Sequence, residues 1–229
     1  VLLAAALTPK KVIIKLAACE PHVQDLCLFL QKLGVKIFGL GTHTLEIIGQ
    51  ENLQGAQHAI IPDQIEIGTM AVLAALTHGE IHLAPVIPEH LDLIILKLRA
   101  IGIECGLEKD FLVVKHSPRA LAAFRLQTFP YPGFPTDLQA PFGVLATQCV
   151  GTSLIQDPMY EGRLGYIAEL QKMGANAIVA DPHRVVITGP TPLYGTEIKG
   201  LDLRAGATMV IAALVASGET VIHGIEVID

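Results

Sequence analysis

The sequence predicts an α/β protein made of repeated β-α-β-α-β-β units whose most apolar helices are enclosed by sheets. Three observations predict it. A helix ending in glycine recurs as Leu30-Gln31-Lys32-Leu33-Gly34, Leu98-Arg99-Ala100-Ile101-Gly102 and Leu170-Gln171-Lys172-Met173-Gly174. In each, leucine and its i+3 partner share one helix face, and the glycine supplies a left-handed stop. A strand and turn follow each copy, at 35–39, 103–106 and 175–180, and then a β-rich run at 44–48, 111–115 and 184–188. The other helix of the unit is apolar nearly all round, as in 70–76 and 208–216, and such a helix belongs in a core. Adjacent strands within each unit argue against a simple doubly wound parallel sheet.

Taken in order, residues 1–7 read as a helix already under way and 8–11 as its turn, so the first copy lacks its beginning. The apolar helix of later copies is introduced each time by an aspartate. Asp63 leads towards Gly79, Asp137 towards Gly151 and Asp202 towards Gly218. All three are expected to solve the same helix-start problem. The last copy ends at Asp229 after one helix and one strand, so both ends are expected to be truncated relative to the repeat.

Composition narrows the function classes. With 229 residues and 51% hydrophobic content the chain can bury a large core, and on length it falls between one and two domains. A formal net charge of −6 and no dense Lys/Arg stripe argue against nucleic acid as a partner. No apolar segment reaches the roughly 20 residues of a membrane span, and neither a signal peptide nor a membrane partner is expected. The four cysteines, Cys19, Cys27, Cys105 and Cys149, show no Cys-x-x-Cys spacing and sit in apolar contexts, which predicts reduced, buried thiols and a cytoplasmic protein. No metal site is expected. His78 and His82 are four apart, but Gly79 and the strand-like residues 81–83 break the helix that this spacing would need.

The stretch Tyr131-Pro132-Gly133-Phe134-Pro135-Thr136-Asp137-Leu138-Gln139-Ala140 carries the chemistry. Pro130, Pro132, Gly133 and Pro135 hold the backbone out of helix until the apolar run 138–150 begins. Thr136 and Gln139 form a Thr-x-x-Gln capping box on paper, which places Asp137 in the first helical turn, where a carboxylate is favoured. Two readings stand. Asp137 caps the helix, or it orients a substrate hydroxyl and accepts its proton.

These residues, together with Pro62-Asp63-Gln64-Ile65-Glu66-Ile67-Gly68-Thr69, Tyr160-Glu161-Gly162-Arg163 and Asp202-Leu203-Arg204-Ala205, closely resemble the UDP-N-acetylglucosamine 1-carboxyvinyltransferases, enolpyruvyl transferases that begin peptidoglycan precursor synthesis. The resemblance runs in order over essentially the whole chain. It implies an inside-out α/β barrel in two domains with the active site in the cleft between them. Residues 1–61 then form the end of the catalytic domain, and 62–229 most of the opposing one. The implied reaction transfers the enolpyruvyl group of phosphoenolpyruvate to the 3-hydroxyl of UDP-N-acetylglucosamine and needs no cofactor.

Carried over position by position, the resemblance makes Asp137 the hydroxyl-binding aspartate and proposed base. Met159 stands where the family's backbone contacts the amino sugar, and Arg163, Asp202 and Arg204 match charges that face the cleft. For these last three the alternative is an ordinary surface ion-pair network. The sequence departs from the family at three places. Gly162 replaces an asparagine. Pro141, which is expected to delete a helical hydrogen bond and bend the helix carrying Asp137, replaces a glutamine. Cys19 replaces an arginine. The family's Lys-Asn pair, its loop with the catalytic Cys or Asp, and a further arginine have no counterpart in residues 1–229. The expected partner is therefore the N-terminal half of the same protein, and the 229 residues alone are not expected to turn over. Two other readings remain: a shikimate-pathway enolpyruvyl transferase, and a non-catalytic sugar-nucleotide-binding or assembly module.

Overall fold

The computed structural model describes residues 1–117 and 119–226, which group into two compact units. The smaller comprises 1–63 with 130–132, and the larger 64–129 with 133–226.

In the smaller unit, helix α1 (Leu2–Ala6) and strand β1 (Lys11–Lys15) precede helix α2 (Pro21–Lys32), strand β2 (Lys36–Phe38) and strand β3 (Thr44–Ile48). The sheet order is β1-β3-β2, and β3 runs antiparallel to both neighbours. Alternation places Leu45 and Ile47 on one face of β3, where they pack with Ala5, Ala6, Cys27, Leu30, Val35 and Ile37.

The larger unit repeats the same grammar. Helix α3 (Gln64–Leu76), strand β4 (Ile81–Leu83), helix α4 (Pro88–Ile101), strand β5 (Cys105–Glu108) and strand β6 (Phe111–Val114) give an antiparallel sheet of order β4-β6-β5. A full β-α-β-α-β-β unit follows: β7 (Arg125–Gln127), α5 (Gln139–Gln148), β8 (Gly151–Gln156), α6 (Tyr166–Lys172), β9 (Asn176–Asp181) and β10 (Arg184–Gly189). Its sheet runs β7-β8-β10-β9, parallel across β7 and β8 and antiparallel elsewhere. The last elements are β11 (Glu197–Lys199), α7 (Leu203–Val215) and β12 (Val221–His223), with β11 and β12 paired in parallel.

The glycine-stopped helices behave as the pattern predicts. Gly34, Gly102 and Gly174 have φ of 103°, 105° and 103°. In all three copies the residue after glycine donates its N–H back across the last turn: Val35 to Leu30 O, Ile103 to Leu98 O and Ala175 to Leu170 O. This is one Schellman stop used three times, with the glycine taking the left-handed residue that a side chain would strain.

The core of the larger unit lies where the apolar helices meet. α5 touches both α3 and α7, and every residue from Gln139 to Thr147 is buried. Phe142 is fully buried and meets the rings of Phe124 and Phe134 edge-on at centroid distances of 6.0 and 4.9 Å. A side chain of that size contributes about 1.5–3 kcal/mol through burial, so α5 is the main anchor for the residues at its entrance. No helix among the described residues is long and apolar enough to cross a membrane.

Candidate functional site at the entrance of α5

The chain reaches α5 through a 3-10 turn, Thr136–Leu138, and this changes the role expected for three residues. Thr136 makes no capping bond, and the Thr-x-x-Gln box does not form. The turn itself absorbs the donors, with the Leu138 N–H reaching Pro135 O and the Gln139 N–H reaching Thr136 O. Pro141 sits in the first turn of α5, where an N–H has no partner within the helix, so the expected loss of a ladder bond does not occur. Asp137 lies in the 3-10 turn ahead of α5 rather than on the helix that proline was expected to bend.

Freed from capping, the Asp137 carboxylate faces two guanidinium groups. Arg163 Nη1 donates to Oδ1 at 2.7 Å, and Arg204 Nη2 donates to Oδ2 at 3.0 Å while its Nε lies 2.6 Å from Oδ1 as a charge contact. Charge-assisted bonds from two arginines, one to each oxygen, fix direction as well as distance. The Asp137 and Arg163 side chains are each 25% exposed and Arg204 48%, so solvent weakens the pairs, and their main effect is orientation rather than stability. The Arg163 guanidinium also lies 4.3 Å above the Tyr160 ring, which holds it from the other side.

Asp202 and Arg204 are not an ion pair. Asp202 is the N-cap of α7, its Oδ1 accepting from the N–H groups of Arg204 at 2.8 Å and Ala205 at 2.9 Å. That cap starts α7 and so aims the Arg204 side chain at Asp137. Met159 follows the end of β8, and its N–H donates to Asp157 Oδ1 at 3.0 Å. Gly162, in the asparagine's place, has φ of 78°, a left-handed conformation that suits glycine in the turn before Arg163.

Thr136, Asp137, Gln139, Arg163, Tyr166, Asp202 and Arg204 line one recess of about 50 Å³, room for a water or a small polar group. The structure thus brings together four of the five candidate residues. Met159 is joined to them through Asp157 and Thr136 rather than in the recess itself. Gln139 Nε2 and the Tyr166 hydroxyl are buried without a hydrogen-bond partner, and burial raises the Tyr166 hydroxyl far above its ordinary range, aided by nearby Asp157. Sequence reading overlooked Asp157. The one available signal was Asp-Pro at a strand end, an Asx-turn pattern whose carboxylate bonds the N–H two residues on.

The cysteines divide. Cys19, Cys27 and Cys149 are buried, while Cys105 is only half-buried, with Arg99 donating to its carbonyl oxygen at 2.8 Å. Burial pushes the Cys149 thiol up to about 12. Cys19 lies 3.3 Å from His43 Nδ1 and is also pushed up by burial, so neither thiol has the lowered range of a nucleophile. Among the described residues no group of three or more His, Cys, Asp or Glu is placed to hold a metal ion.

The geometry can be set beside known proteins. The family model described as EPSP synthase (3-phosphoshikimate 1-carboxyvinyltransferase) matches residues 1–229. The chain belongs to that family. Within the family, curated relatives named UDP-N-acetylglucosamine 1-carboxyvinyltransferase 2 are 43% identical in Geobacillus kaustophilus and 42% in Bacillus subtilis, each over 229 residues. The match takes in all of this chain and 53% of each relative, so the chain spans about half the length of the curated relatives it matches. Among solved structures, the enolpyruvyl transferase NikO from Streptomyces tendae superposes on 99% of this chain and 54% of its own, with a TM-score of 0.85 at 24% identity. EPSP synthase from Acinetobacter baumannii gives 0.71 at 19%, over 99% of this chain and 55% of its own. At those identities the likeness establishes the enolpyruvyl transferase fold, the fold class expected from the sequence.

Proposed function

We propose that the chain is part of an enolpyruvyl transferase of peptidoglycan precursor synthesis, acting in the cytoplasm on UDP-N-acetylglucosamine and phosphoenolpyruvate. The names of the relatives at 42–43% identity support the substrate pair. The observation that carries the mechanism is the Asp137 carboxylate, a quarter exposed on a polar recess and held by Arg163 and Arg204 instead of capping a helix.

In this reading Asp137 accepts the proton of the sugar's 3-hydroxyl while O3 bonds to C2 of phosphoenolpyruvate and C3 takes up a proton. Loss of a C3 proton, with cleavage of the C2–O bond to phosphate, then gives the enolpyruvyl ether. A carboxylate has about four accepting directions. Arg163 Nη1 donates to Oδ1 and Arg204 Nη2 to Oδ2, and Arg204 Nε crowds Oδ1 further at 2.6 Å, so the free direction on the less crowded Oδ2 is the one offered to the hydroxyl. Arg163 and Arg204 orient the carboxylate, Asp202 sets the start of α7, and Met159, with its N–H already engaged, contacts the amino sugar through its carbonyl. The acid and most of the phosphate clamp come from the remainder of a protein of the relatives' length, and residues 1–61 and 62–229 belong to different domains of it. The 229 residues alone do not turn over.

The test is phosphate release in a protein of the relatives' full length. Asp137→Asn is expected to lower kcat by about 10²-fold or more, the scale of a positioned base. Unchanged turnover would remove the proton-accepting role. Because the family model carries the name of a 3-phosphoshikimate enzyme, the same assay with 3-phosphoshikimate as acceptor decides between sugar-nucleotide and shikimate chemistry. Turnover with 3-phosphoshikimate alone would overturn the first.

A further inference from the structure

We propose that Asp157, which no family motif quoted above contains, is the positioning residue that sets both the Asp137 clamp and the backbone at Met159. The inference rests on the reading of Asp137 and Met159 as the hydroxyl- and amino-sugar-facing positions.

Asp157 is 1% exposed, and none of the ion pairs among the described residues includes it. A buried carboxylate needs its oxygens filled. Thr128 Oγ1 donates to Oδ1 at 2.8 Å, the Met159 N–H donates to the same oxygen at 3.0 Å, and Thr136 Oγ1 donates to Oδ2 at 2.5 Å. The backbone around it is anchored too. The Asp157 N–H reaches His183 O at 2.7 Å, and its carbonyl oxygen lies 2.8 Å from His183 Nδ1.

Two consequences reach the site. A threonine hydroxyl has one proton, and Thr136 gives it to Asp157, so Oγ1 presents only lone pairs to its other neighbour. That neighbour is Arg163 Nη1 at 3.0 Å, the same nitrogen that lies 2.7 Å from Asp137 Oδ1. Asp157 therefore locks a hydroxyl rotor, the rotor aims a guanidinium, and the guanidinium aims the Asp137 carboxylate. Its other oxygen closes the Asx turn that fixes the peptide at Met159 and leaves the carbonyl free for substrate. One buried side chain thus ties two substrate-facing positions to the end of β8.

The test uses phosphate release in a protein of the relatives' full length. Asp157→Asn keeps an oxygen for Thr128 and Met159 but turns an NH₂ towards Thr136, which reverses the hydroxyl and points its proton at Arg163. The expected result is a fall of roughly 10- to 100-fold in kcat/KM, the scale of a small misplacement of reacting groups, with circular dichroism and Tm showing a folded protein. Thr136→Val cuts the same arm and is expected to give a similar fall, while Thr136→Ser keeps the hydroxyl and restores activity to within about threefold. Because the two residues act in series, the double variant Asp157→Asn with Thr136→Val is expected to be no worse than either alone. A purely structural role would lower Tm without the serine rescue.

Wild-type turnover by Asp157→Asn or Thr136→Val, equal losses in the valine and serine variants, or effects that multiply in the double variant would each overturn the inference. If Asp157→Asn does not fold, the valine and serine pair decides. Because Asp137→Asn is assayed alongside, the two failures separate. An inactive Asp137→Asn with unaffected Thr136→Val sinks only the role of Asp157, whereas an active Asp137→Asn sinks the reading beneath it.

Discussion

The entrances of α5 and α7 occupy the same place in the repeat, and both carry an aspartate, yet the two carboxylates are spent differently. Asp202 turns inward and bonds the N–H groups of Arg204 and Ala205. Asp137 turns outward and bonds the side chains of Arg163 and Arg204. The cause lies in the residues around them. Before α5 a 3-10 turn satisfies the first donors through Pro135 and Thr136, and Pro141 has no N–H to satisfy. Before α7 there is no such turn, and Asp202 meets that need. A repeat can thus release one copy of a structural residue for chemistry by letting its neighbours take over the structural task.

That comparison can be pressed at three further points. The largest effect on stability is expected at Gly143, in the middle of α5. A Cβ there would lie 2.3 Å from the Tyr166 hydroxyl, and Tyr166 is fully buried, so the ring cannot swing away. Gly143→Ala should lower stability by about 1–3 kcal/mol despite alanine's better helix propensity. Urea unfolding checks this, and a gain in stability would mean the entrance of α5 is less tightly anchored than described.

Next comes the pair of aspartates themselves. Asp202→Ala should cost about 1 kcal/mol, the usual loss of an N-cap. Asp137→Ala should cost less, because it removes partly exposed side-chain pairs worth roughly 0–1 kcal/mol and no cap. If the two variants lose stability equally in the same urea titration, Asp137 is a cap after all.

The smallest effect is expected for Pro141→Ala. In the first turn proline loses no helical bond and restricts the unfolded chain, so alanine should lower stability by about 0.4–1 kcal/mol. A rise in Tm would instead mean that the proline strains the helix.

Much of the fold was legible in the sequence because its signals are local. Glycine after Leu33, Ile101 and Met173 can stop a helix only one way, and the strand runs alternate over a few residues. The strand at 44–48 fell where the alternation placed it, and the others within about two residues. The candidate site was legible only through resemblance. Of the residues it named, Asp137, Arg163, Asp202 and Arg204 line one recess and Met159 does not, and their bonds differ from those the spacing suggested. Thr-x-x-Gln reads as a capping box only while Thr136 Oγ1 is free to accept a backbone N–H, but it accepts from Arg163 and donates to Asp157 instead. Asp202 and Arg204 read as a charge pair only while the backbone donors between them are ignored.

By itself the sequence determined the repeat, the positions of its helices and strands, and a proline-braced aspartate at the start of α5. These follow from backbone preferences and side-chain periodicity, which act over a few residues. Tertiary structure decided what that aspartate does, because its partners Arg163 and Arg204 lie 26 and 67 residues away along the chain. It also decided that Asp157 is buried among hydroxyl groups 21 and 29 residues distant. Hydrogen bonds and charges act over a few ångströms of space, and only the packed chain says which residues share it.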